Sequence, residues 1–515
     1  MNREAIRTGL LFVGLWLLLV IAGRSKFFQD PGTFWHVAVG ERLAAEGFFR
    51  IDPYSFTFQG AEWIPHQWFG ELSLAGAYRL GGLDLMLVLA TGILAAIFTA
   101  LGKRLLDIGL HPSVVAVLLA TALACSSGHF HVRPHLATIA GFAILLCLLS
   151  GVERGTRSVA CLFWFVPVCW IWSNIHGGVL GGLATLGFVL GGWTIQYMAG
   201  CGPFRSSLNI GQAALVMLAC VASCFVNPYG WRLPASWLVI YRMESLPGII
   251  QEHRPMDFTA FGWQGIVAFA FVYVAAVVLL PLRQWRVTYL VPLIWLMLTF
   301  TRVRHAPLFA VTAMVAFADL FPQTRLADWL VRKKNDMFTP PDSPVIESKA
   351  RAWLAPGLVI LIAGCAAVVL SPADRIHPFW VRLDPQIWPI EALPEVRKAA
   401  ASTPQQPRIF AEYHYGGFLI LQEPRCLVFI DDRCELYGDQ FLEEYVLTKG
   451  LLGQKKIQIP GKPLDDWQEK YGPFDFALVT NDEGFDLAFA SQKNIWQVLH
   501  RDENTTLYGR LIPVK

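Results

Sequence analysis

Charge is scarce in this chain: of 515 residues only 16% are Asp, Glu, Lys or Arg, while 54% are hydrophobic. That balance excludes a solvated disordered segment and sits poorly with a soluble globular protein of this size. The formal net charge is +3, and the basic residues are scattered through loops instead of gathered on one face, which excludes a nucleic-acid-binding footprint. The ten cysteines show no metal-finger spacing. Cys125, Cys147, Cys161, Cys169, Cys220, Cys224 and Cys365 fall in apolar runs, where a thiol acts as a small apolar group. Cys426 and Cys434 lie outside them; an oxidising compartment permits their pairing, and the strand expected between them opposes it. Internal repeats and low-complexity tracts are also missing.

Long apolar runs are what the chain has instead. Those near 8–23, 85–101, 112–126, 136–150, 158–173, 178–199, 208–225, 263–281, 287–301, 305–320 and 353–370 approach the roughly 17 to 25 residues that cross a bilayer. The expected fold is therefore an α-helical polytopic membrane protein of about eleven transmembrane helices. The first run is followed by Arg24-Ser25-Lys26 without a small-residue cleavage site, and reads as a retained signal anchor. Alternate loops carry the denser Lys and Arg, among them Arg3, Arg7, Lys103, Arg104, Arg154, Arg157 and the cluster Arg332-Lys333-Lys334, so the positive-inside rule places the N-terminus in the cytoplasm. All histidines but His111 then fall on or near the outer side.

The expected organisation is a transmembrane region over 1–320 with a long first outer loop at 24–84, a cytoplasmic connector at 321–352, a last span at 353–370 and an extracytoplasmic α/β domain at 371–515. The connector, with Thr339-Pro340-Pro341-Asp342-Ser343-Pro344, reads as loop, its basic cluster lying at the anionic inner leaflet. In the last domain 408–411, 426–430 and 474–480 read as buried strands and 440–451 as a helix.

The first outer loop concentrates chemistry: Asp30-Pro31-Gly32-Thr33-Phe34-Trp35-His36, Asp52-Pro53-Tyr54-Ser55 and Trp63-Ile64-Pro65-His66-Gln67-Trp68. The segment 36–49 has the spacing of a helix lying on the membrane surface, which returns Asp30 and Asp52 to one site. Two such carboxylates can hold a divalent cation or supply a general base; Asp-Pro is equally a turn-starting dipeptide. Trp35 and Trp63 can stack on a sugar ring or anchor at the interface, and His36 and His66 fit no zinc motif. Glu71 can cap the second span. Three further outer turns follow. His129-Phe130-His131-Val132-Arg133-Pro134-His135 sets Arg133 and His135 at the membrane boundary, where a phosphate would neutralise the arginine. Asn174-Ile175-His176-Gly177-Gly178 closes a turn whose glycines serve either close approach or helix packing. Arg302-Val303-Arg304-His305 offers an anion site, or snorkelling anchors.

Together these stretches, with Tyr415-Gly416-Gly417-Phe418 and Val428-Phe429-Ile430-Asp431-Asp432-Arg433, resemble bacterial polytopic proteins of the GT-C glycosyltransferase superfamily, which includes protein mannosyltransferases and lipid A aminoarabinose transferases. The resemblance implies a GT-C-like fold in the inner membrane. It implies transfer of a sugar from a polyprenyl-phosphate donor, a membrane lipid, to an extracytoplasmic glycan, lipid or protein acceptor. Asp30, His36, Asp52 and His66 would be catalytic. Trp35, Trp63, Arg133, His135, Asn174, His176, Arg302, Arg304 and His305 would bind substrate, and Asp30 with Asp52 would hold any divalent cation, Mg or Mn. Many relatives carry a second acid two positions after the first; this chain has Gly32. Two other readings stand beside this one. A catalytically silent scaffold would dock a protein partner through 371–515, and a transporter would show inverted repeats, which the sequence lacks.

Overall fold

Lipid offers the backbone no hydrogen-bond partners, so apolar runs that enter it satisfy their amides as helices. The computed structural model describes residues 3–259, 262–341, 350–372, 375–454 and 456–511. Its first part holds α1 (Arg3–Lys26), α2 (Gly32–Glu46), α3 (Trp68–Asp107), α4 (Pro112–Ser126), α5 (Leu136–Glu153), α6 (Phe165–Ile175), α7 (Val179–Met198), α8 (Ser207–Ser223), α9 (Arg232–Arg242), α10 (Leu246–Ile249), α11 (Trp263–Val278), α12 (Val291–Thr301), α13 (Ala306–Leu320), α14 (Arg325–Arg332) and α15 (Leu354–Val369).

Among the described residues 7 helical segments are long and apolar enough to cross a membrane: Glu4–Lys26, Trp68–Asp107, Pro112–His129, Leu136–Glu153, Val179–Met198, Val303–Gln323 and Ala350–Val369. The runs at 158–173, 208–225, 263–281 and 287–301 fold as shorter apolar helices. The expected set of spans thus divides into long and short members. Every residue of α13 is buried, which makes it the central helix. In α1 and α15 only 28% and 22% of the most apolar window is buried; Leu10, Leu18, Leu361 and Ile362 are exposed, as a lipid-facing wall requires. At 321–340 the structure is more ordered than the loop expected: α14 forms there, Phe338 is buried on Phe321, and Leu110 bridges to Phe338. The connector's residues 342–349 lie outside the described ones.

The C-terminal part is built from α16 (Leu393–Ser402), β1 (Arg408–Ala411), α17 (Tyr413–Gln422), β2 (Leu427–Val428), α18 (Cys434–Gly453), α19 (Lys462–Tyr471), β3 (Phe476–Thr480), α20 (Gly484–Ser491), β4 (Trp496–Arg501) and β5 (Thr505–Arg510). The sheet order is β2-β1-β3-β5-β4. β1 runs parallel to β2 and β3, while β5 is antiparallel to β3 and β4. The core is aromatic: Phe410 packs on Phe429, Trp467, Phe474, Phe485 and Phe489.

The first loop is part of this sheet domain as much as of the helical region. Ser55 bridges Val428 in parallel register, Phe56 N–H donates to the Val428 carbonyl (3.1 Å), and Val428 N–H donates to the Tyr54 carbonyl (3.0 Å). An otherwise open strand edge is thereby paired. Asp84, just past a break in α3 at Gly81 and Gly82, accepts the amides of Phe379, Trp380 and Val381 at 2.7, 2.9 and 2.8 Å. The helix expected to lie on the membrane surface is instead buried: α2 hides Gly32 through Gly40 and Leu43 between α3 and α17. Phe34 meets Trp388 and Phe418 edge-on at 4.7 and 5.2 Å. Its apolar residues occur on more than one side because it has two partners, not a lipid surface and a solvent face. Gly417 makes this approach feasible, since a Cβ there would sit 2.6 Å from the Pro31 carbonyl oxygen.

Candidate active site

The outer turns identified in the sequence converge at one end of the helices, where α18 and the loop before it close over a cavity of ≈ 270 Å³. Its wall includes Trp35, His66, Arg133, His135, His176, Trp237, His253, Trp295, Arg302, Arg304 and His305, with Asp432, Cys434 and Glu435 from the C-terminal part. Polar groups converging in a partly apolar pocket are the usual form of a binding site.

Local structure fixes several of these side chains. His176 caps the end of α6, and its Nδ1 accepts the Gly178 N–H (3.0 Å). The Thr138 hydroxyl, 2.8 Å from the same nitrogen, accepts from Trp172 Nε1 (2.9 Å) and so donates to His176. With Nδ1 occupied as an acceptor, the His176 proton resides on Nε2. His135 Nε2 donates to the His129 carbonyl (2.8 Å), and the two rings lie 4.2 Å apart. Burial lowers the pKa of His135 and His176 well below the ordinary value, helped by His129 for the first and by Arg304 for the second. His253 is lowered by burial and by Arg304, to which it is hydrogen bonded. These three imidazoles are therefore neutral.

Asp30 stands beside the cavity behind Arg133. Its Oδ2 pairs with Arg133 Nη1 (2.9 Å) and its Oδ1 accepts the Gly32 amide (2.8 Å). Asp30, His131 and Glu252 present ligand atoms within 4.8 Å of one another, a group able to hold a metal ion. Glu252 Oε1 lies 2.9 Å from His129 Nδ1 and 3.5 Å from His131 Nε2. Burial raises the Glu252 pKa, but His129 and Arg304 outweigh it and hold the carboxylate ionised. Neither Glu252 Oε1 nor His131 Nδ1 has a hydrogen bond of good geometry although both atoms are buried. One imidazole and two carboxylates suit a divalent cation such as Mn or Mg, so the residues present fit such an ion.

Other residues singled out in the sequence sit elsewhere. Asp52 is not in that metal-capable group. It accepts Tyr54 N–H, Ser55 N–H (both 3.0 Å) and the Ser55 hydroxyl, and pairs with Arg433 Nη1 (2.7 Å). Arg433 also grips Asp431 through Nε (2.8 Å) and Nη2 (2.7 Å), with Asp52, Asp431 and Arg433 side chains all 0% exposed. Both Asp-Pro turn chemistry and a buried cross-link account for Asp52. Trp63 is buried, donates to Glu435 (2.8 Å) and lies under Arg433 (4.7 Å), so it is neither an interfacial anchor nor part of the cavity wall. Trp35 is also buried and does line the cavity. His36 packs beneath Trp35 and meets Glu71 at 3.1 Å, off the cavity. Glu71 is thus a buried partner for His36. Asn174 accepts from Trp68 Nε1 (2.8 Å) and donates to the Trp170 carbonyl (2.8 Å), which makes it a helix tie. All ten cysteines are free, Cys426 and Cys434 included.

Sequence reasoning misses Trp237, Glu252, His253 and Glu435 altogether, and reaches Asp432 only as part of a resemblance. Glu252-His253-Arg254 is a run of three ionisable side chains between α10 and α11, and that clustering is the signal available.

No protein-family model and no curated protein matches the sequence. Solved structures do. The crystal structure of the Archaeoglobus fulgidus oligosaccharyltransferase tethered with an acceptor peptide containing the NVT sequon aligns with a TM-score of 0.54 at 11% identity, over 98% of this chain and 73% of that one. The oligosaccharyltransferase AglB of Archaeoglobus fulgidus in complex with an inhibitory peptide and a dolichol-phosphate scores 0.48 at 10% identity, over 93% and 69%. ArnT from Cupriavidus metallidurans bound to undecaprenyl phosphate scores 0.47 at 14% identity, over 97% of both chains. The first of these shows that the chain shares the fold of that oligosaccharyltransferase, a helical region joined to a C-terminal sheet domain, in line with the GT-C-like fold expected from the sequence.

Proposed function

We propose that this protein is a membrane glycosyltransferase that moves a sugar from a polyprenyl-phosphate donor to an acceptor on the extracytoplasmic side. The observation that carries the reading is the convergence of polar groups on one cavity: Arg133, Arg302, Arg304, Asp432 and Glu435 line it with neutral His135 and His176, and the carboxylates of Asp30 and Glu252 pair with its lining residues Arg133 and His129. A lipid-linked sugar phosphate has groups to match, an anionic leaving group for the arginines and an attacking acceptor for a carboxylate base. Trp35 and Trp237 add buried indole N–H groups without acceptors, which sugar hydroxyls would satisfy. The Archaeoglobus fulgidus oligosaccharyltransferase, whose fold this chain shares, is tethered with an acceptor peptide in its crystal structure, which is in keeping with a transferase.

The reaction is a direct displacement. Asp30, when Arg133 releases its Oδ2, takes the proton from the acceptor nucleophile, a bond forms from that nucleophile to the anomeric carbon, and the bond from that carbon to the phosphate oxygen breaks. Arg302 and Arg304 stabilise the charge left on the lipid phosphate. His66 and His176 hold sugar hydroxyls from the cavity wall. Asp30, His131 and Glu252 are the residues that would hold a divalent cation, which when bound supplies Lewis-acid stabilisation of developing charge.

The test is binding of a polyprenyl phosphate to the purified full-length protein. Saturable binding is expected, with affinity reduced about tenfold or more in Arg304→Met, the range for losing a hydrogen bond to a charged group. Equal binding of the uncharged prenol would rule the anion site out.

A further inference from the structure

Both oxygens of Asp30 are already committed: one to the Gly32 amide at 2.8 Å, the other to Arg133 at 2.9 Å. Gly32 makes the second contact possible, because a Cβ at that position would lie 2.7 Å from Arg133 Cζ and 2.8 Å from Asp30 Oδ1. The guanidinium thus fills the volume beside Asp30 that any other side chain at position 32 would take. A cation approaching Asp30, His131 and Glu252 meets a positive charge in its way.

A second berth for that charge exists. Asp432, on the loop between β2 and α18, reaches the same cavity wall as Arg133 and keeps a buried Oδ1 without any hydrogen bond. Among the carboxylates acting on Arg133, Asp432 follows Asp30 and precedes Glu252. Burial pushes the Asp432 pKa well up while Arg133 opposes it, and a buried carboxyl oxygen without a partner is costly unless some state of the protein brings a cation to it.

We propose that Arg133 is a displaceable internal cation, paired with Asp30 while no divalent ion is bound and transferred to Asp432 when an ion takes Asp30, His131 and Glu252. Asp432 is then a positioning residue, which acts on the ion site only by receiving the guanidinium. This rests on the cation site in the function proposed above. It adds a role for the C-terminal part: the part that closes the cavity also supplies the charge that frees Asp30.

The experiment is Mn binding to the detergent-solubilised full chain, read from the loss of the free Mn electron paramagnetic resonance signal. Arg133→Gln and Gly32→Ala should each tighten binding, and Asp432→Asn should weaken it, by about tenfold, the scale of second-layer effects on metal affinity. Gly32→Ala keeps Arg133 in the chain and crowds the end of its guanidinium, along with Asp30 Oδ1, so it serves if Arg133→Gln does not fold. The double variant Arg133→Gln, Asp432→Asn should bind as Arg133→Gln alone does, because Asp432 then has nothing to receive. An Asp432→Asn loss that persists in the double variant would make Asp432 a direct ligand and overturn the proposal. So would Arg133→Gln and Gly32→Ala proteins no tighter than the parent. If neither the parent nor Arg133→Gln takes up Mn, the cation site itself fails along with it; if the parent binds and the variants match it, only the displacement fails.

Discussion

Replacing Arg433 by Met probes the joint between the sheet domain and the first loop. Arg433 Nη1 holds Asp52, while its Nε and Nη2 hold Asp431, all at 2.7 to 2.8 Å. The three side chains are 0% exposed, so water cannot compensate when the guanidinium is lost. Asp431 keeps one hydroxyl donor, Tyr437 (2.8 Å), besides the Arg433 backbone amide at 2.9 Å, and Asp52 keeps only its local turn. Breaking a buried pair from one side costs about 3 to 5 kcal/mol. For a domain of ordinary size each kcal/mol moves the midpoint by roughly 2 to 8 °C, so the expected drop is about 6 °C or more. Thermal unfolding of the full-length protein in detergent, followed by tryptophan fluorescence, measures it. Adding Asp52→Asn to Arg433→Met should recover part of the loss, since one stranded charge is removed. A midpoint within about 2 °C of the parent, less than 1 kcal/mol on the same scale, would refute the view that this triad holds the two parts together.

The cation site and the buried histidines can be perturbed separately. Glu252→Gln should lower Mn affinity about tenfold or more in the same resonance assay while leaving polyprenyl phosphate binding intact, as a ligand of the ion but not of the lipid would. Buried neutral histidines give an acid-sensitive fold. Their folded pKa lies below the unfolded value of about 6.5, so stability is complete above that pH and is lost progressively as pH falls from there toward the folded pKa, about 2 for His253. The melting midpoint should therefore begin to drop near pH 6.5 and keep dropping below it, and His253→Gln should flatten the drop; a midpoint unchanged below about pH 6.5 would show these imidazoles are not buried neutral. Asp84→Ala leaves three amides of the segment 379–381 without their acceptor. It should cost about 1 to 3 kcal/mol and expose that segment to limited proteolysis.

Much of the helical region is legible in apolar run lengths, because the bilayer sets a length and the sequence must meet it. The short helices Ser207–Ser223 and Trp263–Val278 are legible as apolar and not as short, since turn residues beyond each run read as its continuation. The turns at 129–135, 174–178 and 302–305 are legible as chemistry because charge beside lipid is costly without a partner. Pairing over distance is not legible. Asp52 and Arg433 are 381 positions apart, and no periodic pattern links residues so separated. For the same reason the sequence of α2 reads as a helix lying on lipid: its second partner, α17, follows it by hundreds of residues, and an apolar face looks alike whatever covers it. Asn174 groups with His176 by adjacency, though one residue turns into the helix packing and the next but one into the cavity.

Sugar transfer from a lipid phosphate at the cavity can be followed by mass spectrometry of polyprenyl-phosphate sugars incubated with the purified protein. The readout is release of the bare polyprenyl phosphate as sugar appears on an added acceptor. Acceptor-dependent release is expected from the parent chain and none from a folded Asp30→Asn variant. Release that continues unchanged in Asp30→Asn, or no release from any donor of a broad panel while the lipid phosphate binds, would contradict the proposed transfer.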